Sequence, residues 1–223
     1  MNQSITSKLN TVMTGDCVEL LRSLPAESVD LVLTDPPYLV TYRPRDGRRI
    51  ENDTGVRWLR PAFAELFRVL KSNSFCLTFY GWPSADLFVS AFRTSGFRLV
   101  SHISFVKSYA SFVGYTRAQH EVAYLLAKGR PPKPEEPISD VLHWQYTENK
   151  LHPAQKPVSV LVPLVEAFSK PDGIVLDPFC GSGSSLVAAI KTSRQFLGIE
   201  IDPMYAQLSR SRLAALGNRK SAA

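Results

Sequence analysis

Four runs of nearly unbroken apolar residues most restrict how this chain can fold. They lie in "VDLVLTD" at Val29, "SFCLTFYGW" at Ser74, "GIVLDPF" at Gly173 and "QFLGIEI" at Gln195. Strands with that lack of polar alternation belong to a parallel sheet covered on both faces. Between and around them stand stretches with apolar residues at helical spacing: "CVELLRSL", "RWLRPAFAELFRVLK", "DLFVSAFRTSG", "PVSVLVPLVEAFSK", "SSLVAAIKTS" and "PMYAQLSRSRLAAL". In the second of these, Trp58, Leu59, Ala62, Phe63, Leu66 and Leu70 form the buried stripe. A short strand in "TVMTGD" precedes the first helix, and "RLVSHISFVK" and "HEVAYLLAKG" read as two more strands joined by "SYASFVGYTRAQ". Alternating strands and helices without an internal repeat predict the α/β class. The tail "GNRKSAA" is expected to fray.

The strand ends carry the chemistry. At Asp35 the chain meets two prolines, which cannot continue a central strand, so it leaves the sheet there. Ligands bind at the carboxyl ends of strands in open α/β sheets. Asp35, Pro36, Pro37 and Tyr38 therefore set a carboxylate, a rigid turn and an aromatic ring at a candidate active-site edge. In "GIVLDPFCGSGSSLVAAI", Asp177, Gly181 and Gly183 lie between a strand and a helix. Glycines there admit close approach of a ligand, and the helix N-terminus offers N–H groups to an anion. Glu200 ends the next strand, where a carboxylate can accept hydrogen bonds from ribose hydroxyls. The turn has neither the GxGxxG nor the GxxxxGKS spacing, which disfavours a dinucleotide or a nucleoside triphosphate. An amino-acid nucleoside fits better, and S-adenosylmethionine is one.

At 223 residues the chain suits a single domain, 1–223. Two stretches can contribute little core. The first is a mobile basic loop at about 41–56 with Arg43, Arg45, Arg48 and Arg49; the second is a proline-rich, then aromatic insertion at about 129–150. A formal charge of +6 favours a polyanionic partner. Cys17, Cys76 and Cys180 form no CxxC pair, which speaks against a disulfide framework or a structural zinc site. No metal is expected. "MNQSITSKLN" lacks the apolar core of a signal peptide, and no apolar run reaches the ~20 residues of a membrane span. A cytoplasmic protein is expected.

Together "DPPY" and "LDPFCGSG" resemble the amino-methylating DNA methyltransferases, with a D/N/S-PP-Y/F/W catalytic motif and a glycine-rich cofactor motif. The catalytic motif comes first here, an order similar to the β group of adenine-N6 and cytosine-N4 enzymes. "TGDCVELL", "RAQHEVAYLLAKG", "HPAQKP" and "FLGIEID" extend the resemblance from about Thr11 to Leu213. It implies a Rossmann-like S-adenosylmethionine-dependent methyltransferase fold, with a mostly parallel seven-stranded sheet and one antiparallel strand. It also implies that Asp35 and the Pro36 carbonyl accept the two N–H groups of a flipped base's amine, with Tyr38 stacking on the base. Cofactor contacts would come from Asp35, from the turn Asp177, Pro178, Phe179, Cys180, Gly181, Ser182 and Gly183, and from Glu200 and Ile201. Asp16 and Cys17 would border the adenine ring, and Lys156 would approach the cofactor's carboxylate or cap the pocket. Asp16 could equally cap the helix after it, Cys17 could be a small core residue, and Asp202 is expected to cap the last helix.

Double-stranded DNA is the implied partner. The arginines at 43, 45, 48 and 49 follow Tyr38 directly and are expected to clamp DNA, and Tyr109, Tyr115 and Arg117 to contact the target or wedge its bases. His120 and Glu121 receive no catalytic role. The insertion at 129–150 stands where relatives carry target recognition and is short, which suits a small site or a homodimer sharing the DNA. The expected reaction is transfer of a methyl group from S-adenosylmethionine to adenine N6. The first residue of the motif bears on the base: Asp favours adenine, whereas relatives with Ser favour cytosine-N4, which is the alternative. An upstream catalytic motif beginning with Asp speaks against RNA or protein glutamine as substrate, and the intact motifs speak against an inactive DNA-binding protein. The implied setting is prokaryotic or phage-like.

Overall fold

The computed structural model describes residues 5–39, 55–113, 115–144 and 155–220. Along the chain these form β1 (Thr11–Thr14), α1 (Cys17–Arg22), β2 (Val29–Thr34), α2 (Leu59–Val69), β3 (Leu70–Phe79), α3 (Ala85–Thr94), β4 (Arg98–Val113), β5 (Thr116–Lys128), β6 (Val141–Trp144), α4 (Val158–Phe168), β7 (Ile174–Asp177), α5 (Ser184–Lys191), β8 (Gln195–Glu200) and α6 (Pro203–Lys220). The strands make one sheet in the order β1-β8-β7-β2-β3-β5-β4-β6. Strand β5 runs antiparallel to both neighbours, and every other pairing is parallel. The α/β class and the single antiparallel strand are as expected.

The apolar runs do alternate once seen in the sheet. Leu31 and Leu33 of β2, Phe75, Leu77 and Phe79 of β3, and Ala123 and Leu125 of β5 face the layer holding α4, α5 and α6. Val32, Cys76, Val122 and Leu126 face the layer of α1, α2 and α3. Both faces are apolar because both are covered. On α2, Leu59, Ala62, Phe63 and Leu66 are buried as the helical spacing predicts, and Phe63 meets Phe92 of α3 edge-on at 4.7 Å between centroids.

Three boundaries depart from expectation. The sheet has eight strands among the described residues, not seven, because β6 pairs with β4 from Ser104↔Val141 to Lys107↔Trp144. Its four residues follow a proline-rich stretch and carry too short a pattern to stand out, yet Trp144 is buried and Ile138 and Leu142 pack on the core. The segment expected to join two strands as a loop is itself strand: β4 and β5 continue to Val113↔Thr116. Alternating Ser, Tyr, Phe and Thr suit a pleated ribbon as well as a loop. Helix α6 runs on to Lys220, through part of the tail expected to fray.

Successive strands move outward in opposite directions on either side of the β7–β2 junction. Such a reversal opens a crevice at the carboxyl ends of the two strands. Asp35 follows β2 there, and Asp177 ends β7.

Candidate active site

Past Thr34 the diproline carries the chain off the sheet, and Tyr38 packs against the backbone after β3. A Cβ on Gly81 would lie 2.7 Å from both the carbonyl oxygen and the Cβ of Tyr38, so the aromatic loop needs glycine there. The sequence signal for this close approach is "YGW", a glycine between two aromatics.

Asp35 is held from two sides. Tyr38 Oη donates to its Oδ1 at 2.9 Å, and Lys156 Nζ donates to its Oδ2 at 2.6 Å. The ion pair is well enclosed, with 9% of the Lys156 side chain and 20% of that of Asp35 exposed. Burial raises the Asp35 carboxyl above its ordinary range, although Lys156 and the Tyr38 hydroxyl pull the other way. The ammonium also lies over the rings of Tyr38 (5.3 Å) and Phe79 (4.9 Å). The resemblance places Lys156 at the cofactor's carboxylate or over the pocket; in the structure its charge faces Asp35.

Glu121, given no role from sequence, belongs to the same cluster. Its Oε2 lies 3.3 Å from Tyr38 Oη, and its Oε1 accepts from Lys107 Nζ at 2.5 Å. Burial pushes its carboxyl up, but Lys156, Lys107 and the hydrogen bonds outweigh that and hold it below its usual value. The Tyr38 phenol is pushed far up by burial and by the two flanking carboxylates, so it stays a donor.

Across the crevice, the glycine-rich turn is pinned by hydrogen bonds to two acids. Asp177 Oδ1 accepts from Thr34 Oγ1 and from the Phe179 N–H, both at 3.0 Å, and Oδ2 accepts from Ser185 Oγ. Burial lifts this carboxyl to about 7. Glu200 accepts from the Gly181 N–H at 2.7 Å and the Asp202 N–H at 2.9 Å, and burial raises it too. Asp202 Oδ1 accepts from the Met204 N–H at 2.7 Å, capping α6 as expected. Gly181 and Gly183 have φ of +49° and +78°, and no side chain caps α5. Phe179 packs edge-on against Trp58 at 5.0 Å between centroids. Ser182 and Cys180 are buried, and Ile201 is exposed.

Asp16 caps α1, accepting from the N–H groups of Val18 (2.9 Å) and Glu19 (3.1 Å) through Oδ1. Cys17 is buried, its thiol pushed up to about 12 by burial and Asp16, so it is an inert core group. Both still stand at the same sheet edge, since Gly15 N–H donates to the Glu200 carbonyl at 3.0 Å. The donor set fits S-adenosylmethionine. An uncapped helix N-terminus faces an open glycine turn, and the Glu200 carboxylate closes the far end.

Tyr115 stands fully exposed at the turn of the β4–β5 hairpin. Strand β3 ends at Phe79, opposite Ala123, so the hairpin runs on beyond the ligand-binding edge of β3, carrying Tyr109 and Arg117. Arg43, Arg45, Arg48 and Arg49 lie outside the described residues, as does part of the 129–150 insertion. Among the described residues, no group of three His, Cys, Asp or Glu side chains could hold a metal ion. None of the described helices is long and apolar enough to cross a membrane.

A family model described as DNA methylase, for N6 and N4 methyltransferases, matches residues 29–211. Among curated proteins, YubD of Escherichia coli (strain K12), a putative methylase by name, is 48% identical over 202 residues, covering 91% of this chain and 89% of its own. The DNA adenine methyltransferase YhdJ of the same organism is 28% identical, covering 93% and 83%. Among solved structures, a DNA modification methylase of Thermus thermophilus, TTHA0409, complexed with S-adenosyl-L-methionine, superposes with a TM-score of 0.73 at 25% identity, covering 92% of this chain and 93% of that one. The cytosine-N4-specific PvuII DNA methyltransferase shares the fold, with a TM-score of 0.73 at 20% identity over 93% and 91%.

Proposed function

The chain belongs to the DNA methylase family of N6 and N4 amino-methyltransferases, and from that premise we propose that it methylates N6 of adenine in double-stranded DNA on a base turned out of the helix. The observation that carries the reading is the pairing of two devices at one crevice. The Asp35-Pro36-Pro37-Tyr38 loop leaves β2, and the glycine turn leaves the adjacent β7. Thr34 Oγ1 and Asp177 Oδ1 join them directly. Asp at the head of the motif and the adenine-specific relative YhdJ favour adenine over cytosine.

S-adenosylmethionine, when bound, supplies an electrophilic methyl group, so no metal or covalent cysteine is needed. The protein's task is to make the base's amine a nucleophile. That nitrogen's lone pair is delocalised into the ring and becomes available as the nitrogen turns tetrahedral. Asp35 accepts one N–H and the Pro36 carbonyl the other, and both bonds strengthen as charge develops, which lowers the barrier instead of tightening ground-state binding. Tyr38 stacks on the extruded base. Lys156 keeps Asp35 ionised. Asp177 acts by bracing the turn through Ser185 and the Phe179 N–H. Glu200 already sits on the turn and takes the ribose hydroxyls with its remaining lone pairs. The hairpin, with Tyr109, Tyr115 and Arg117, and the arginines at 43, 45, 48 and 49 contact the DNA.

The test is incubation of unmethylated DNA with the protein and S-adenosylmethionine, followed by nucleoside digestion and mass spectrometry. N6-methyladenine is expected; N4-methylcytosine would overturn the base assignment, and neither product would overturn the activity. Asp35→Ala should abolish turnover while calorimetry still finds the cofactor bound. Glu200→Ala should chiefly weaken cofactor affinity, and equal loss of both properties in both variants would refute this division of roles.

A further inference from the structure

Tyr38 has one hydroxyl proton and two carboxylates within reach, Asp35 at 2.9 Å and Glu121 at 3.3 Å. Asp35 cannot keep that hydroxyl and also accept a target amine through the same oxygen. We propose that Glu121 is a positioning residue for methyl transfer: it takes over the Tyr38 hydroxyl when Asp35 Oδ1 turns to the amine, and so fixes the ring on which the base stacks. The inference rests on Asp35 receiving the amine.

Glu121 is built to hold still. Lys107 fixes its other oxygen at 2.5 Å, and only 10% of the Lys107 side chain and 22% of that of Glu121 are exposed. Lys107 in turn lies over the rings of Tyr109 (5.7 Å) and Trp144 (5.6 Å). The antiparallel direction of β5 is what delivers Glu121 to this edge. An early residue of that strand stands where parallel strands present their last residues. An acceptor clamped by an ion pair costs little reorganisation when the hydroxyl swings across.

The experiment uses the full chain with ¹³Cζ-labelled tyrosine, the Tyr38 resonance being assigned by its loss in Tyr38→Phe. Glu121→Leu removes the acceptor, and Glu121→Gln keeps an acceptor while losing the charge. The Tyr38 resonance is expected to shift in both, more in Glu121→Leu. Single-turnover methylation of unmethylated DNA is expected to fall about ten-fold in Glu121→Leu, and less in Glu121→Gln, with cofactor affinity unchanged. In a Tyr38→Phe background the Glu121 substitutions should add little further loss. An unmoved resonance, or fully additive losses with Tyr38→Phe, would overturn the proposal and leave Glu121 as a structural partner of Lys107. If the resonance shifts but the wild type methylates no DNA, the reading of Asp35 fails and with it the proposed role, while the hydroxyl contact stands.

Discussion

Lys156 offers the sharpest perturbation, because its two candidate duties have opposite signatures. Lys156→Met keeps an apolar stem against the rings of Tyr38 and Phe79 and removes only the charge. With the ammonium 2.6 Å from Oδ2, and 9% of its side chain exposed, the lost attraction is that of a close, mostly desolvated pair. An opposite charge this near shifts a carboxylate by about 1–3 pH units of titration. The Tyr38 hydrogen bond and the fifth of the Asp35 side chain open to water survive, so the lower part of that range applies. Asp35 works ionised, and its carboxyl is already raised by burial. Losing Lys156 raises it further and moves the acid limb of kcat/KM to higher pH. At a pH on that limb the variant should be about ten- to a hundred-fold slower than wild type. Well above the limb the two rates should converge, with cofactor affinity the same. The assay is methyl incorporation into unmethylated DNA across pH, with calorimetric titration of S-adenosylmethionine alongside. A limb that stays put while cofactor affinity collapses at every pH would refute the argument and return Lys156 to the cofactor's carboxylate.

Two further predictions concern the turn itself. Asp177, lifted by burial to about 7, holds a proton in the folded state that the unfolded chain releases near 3.8, so its contribution to wild-type stability falls as pH rises between those values and is flat above them. Asp177→Asn abolishes that loss, and its stability relative to wild type, from urea unfolding at several pH values, should therefore rise across the window by up to roughly 4 kcal/mol; a constant difference would contradict the raised carboxyl. Gly183→Ala forces an L-residue to φ +78° and drives a Cβ into Ser209 Oγ, well inside van der Waals contact, so thermal and urea unfolding should show a loss of about 2–4 kcal/mol. That hydroxyl is buried with only the weakly hydrogen-bonding Cys180 thiol for company, and Ser209→Ala alone should be near neutral while relieving about half the cost of Gly183→Ala; equal cost in both backgrounds would sink the contact argument.

Sequence made the strand-end acids visible and left them chemically alike. Asp16, Asp35, Asp177 and Glu200 each follow an apolar strand, and prolines or glycines beside three of them marked turns by purely local rules. Those rules concern the next few residues, so they found "DPPY" and "CGSG" and the cap at Asp202. They could not say which acid faces which cation. Lys156 reaches Asp35 across 121 residues, and Glu121 reaches Tyr38 across 83. Both meetings depend on strand order and direction, which hydrophobic pattern does not encode: "HEVAYLLAKG" reads the same whichever way the strand runs. Once β5 is antiparallel, Glu121 arrives at the edge, Asp35 acquires a competitor for Tyr38, and Lys156 lies between two carboxylates that it holds toward ionisation. Asp177, by contrast, has both oxygens occupied by its own chain and rises to about 7, which suits a brace and not an acceptor of incoming hydrogen bonds. The difference between a catalytic carboxylate and a structural one thus lies in what its neighbours across the sheet have left free. Among these acids Asp35 has, as its protein partners, a tyrosine with an alternative acceptor and a lysine, and it is the one that can exchange a partner for a substrate without unpinning the fold.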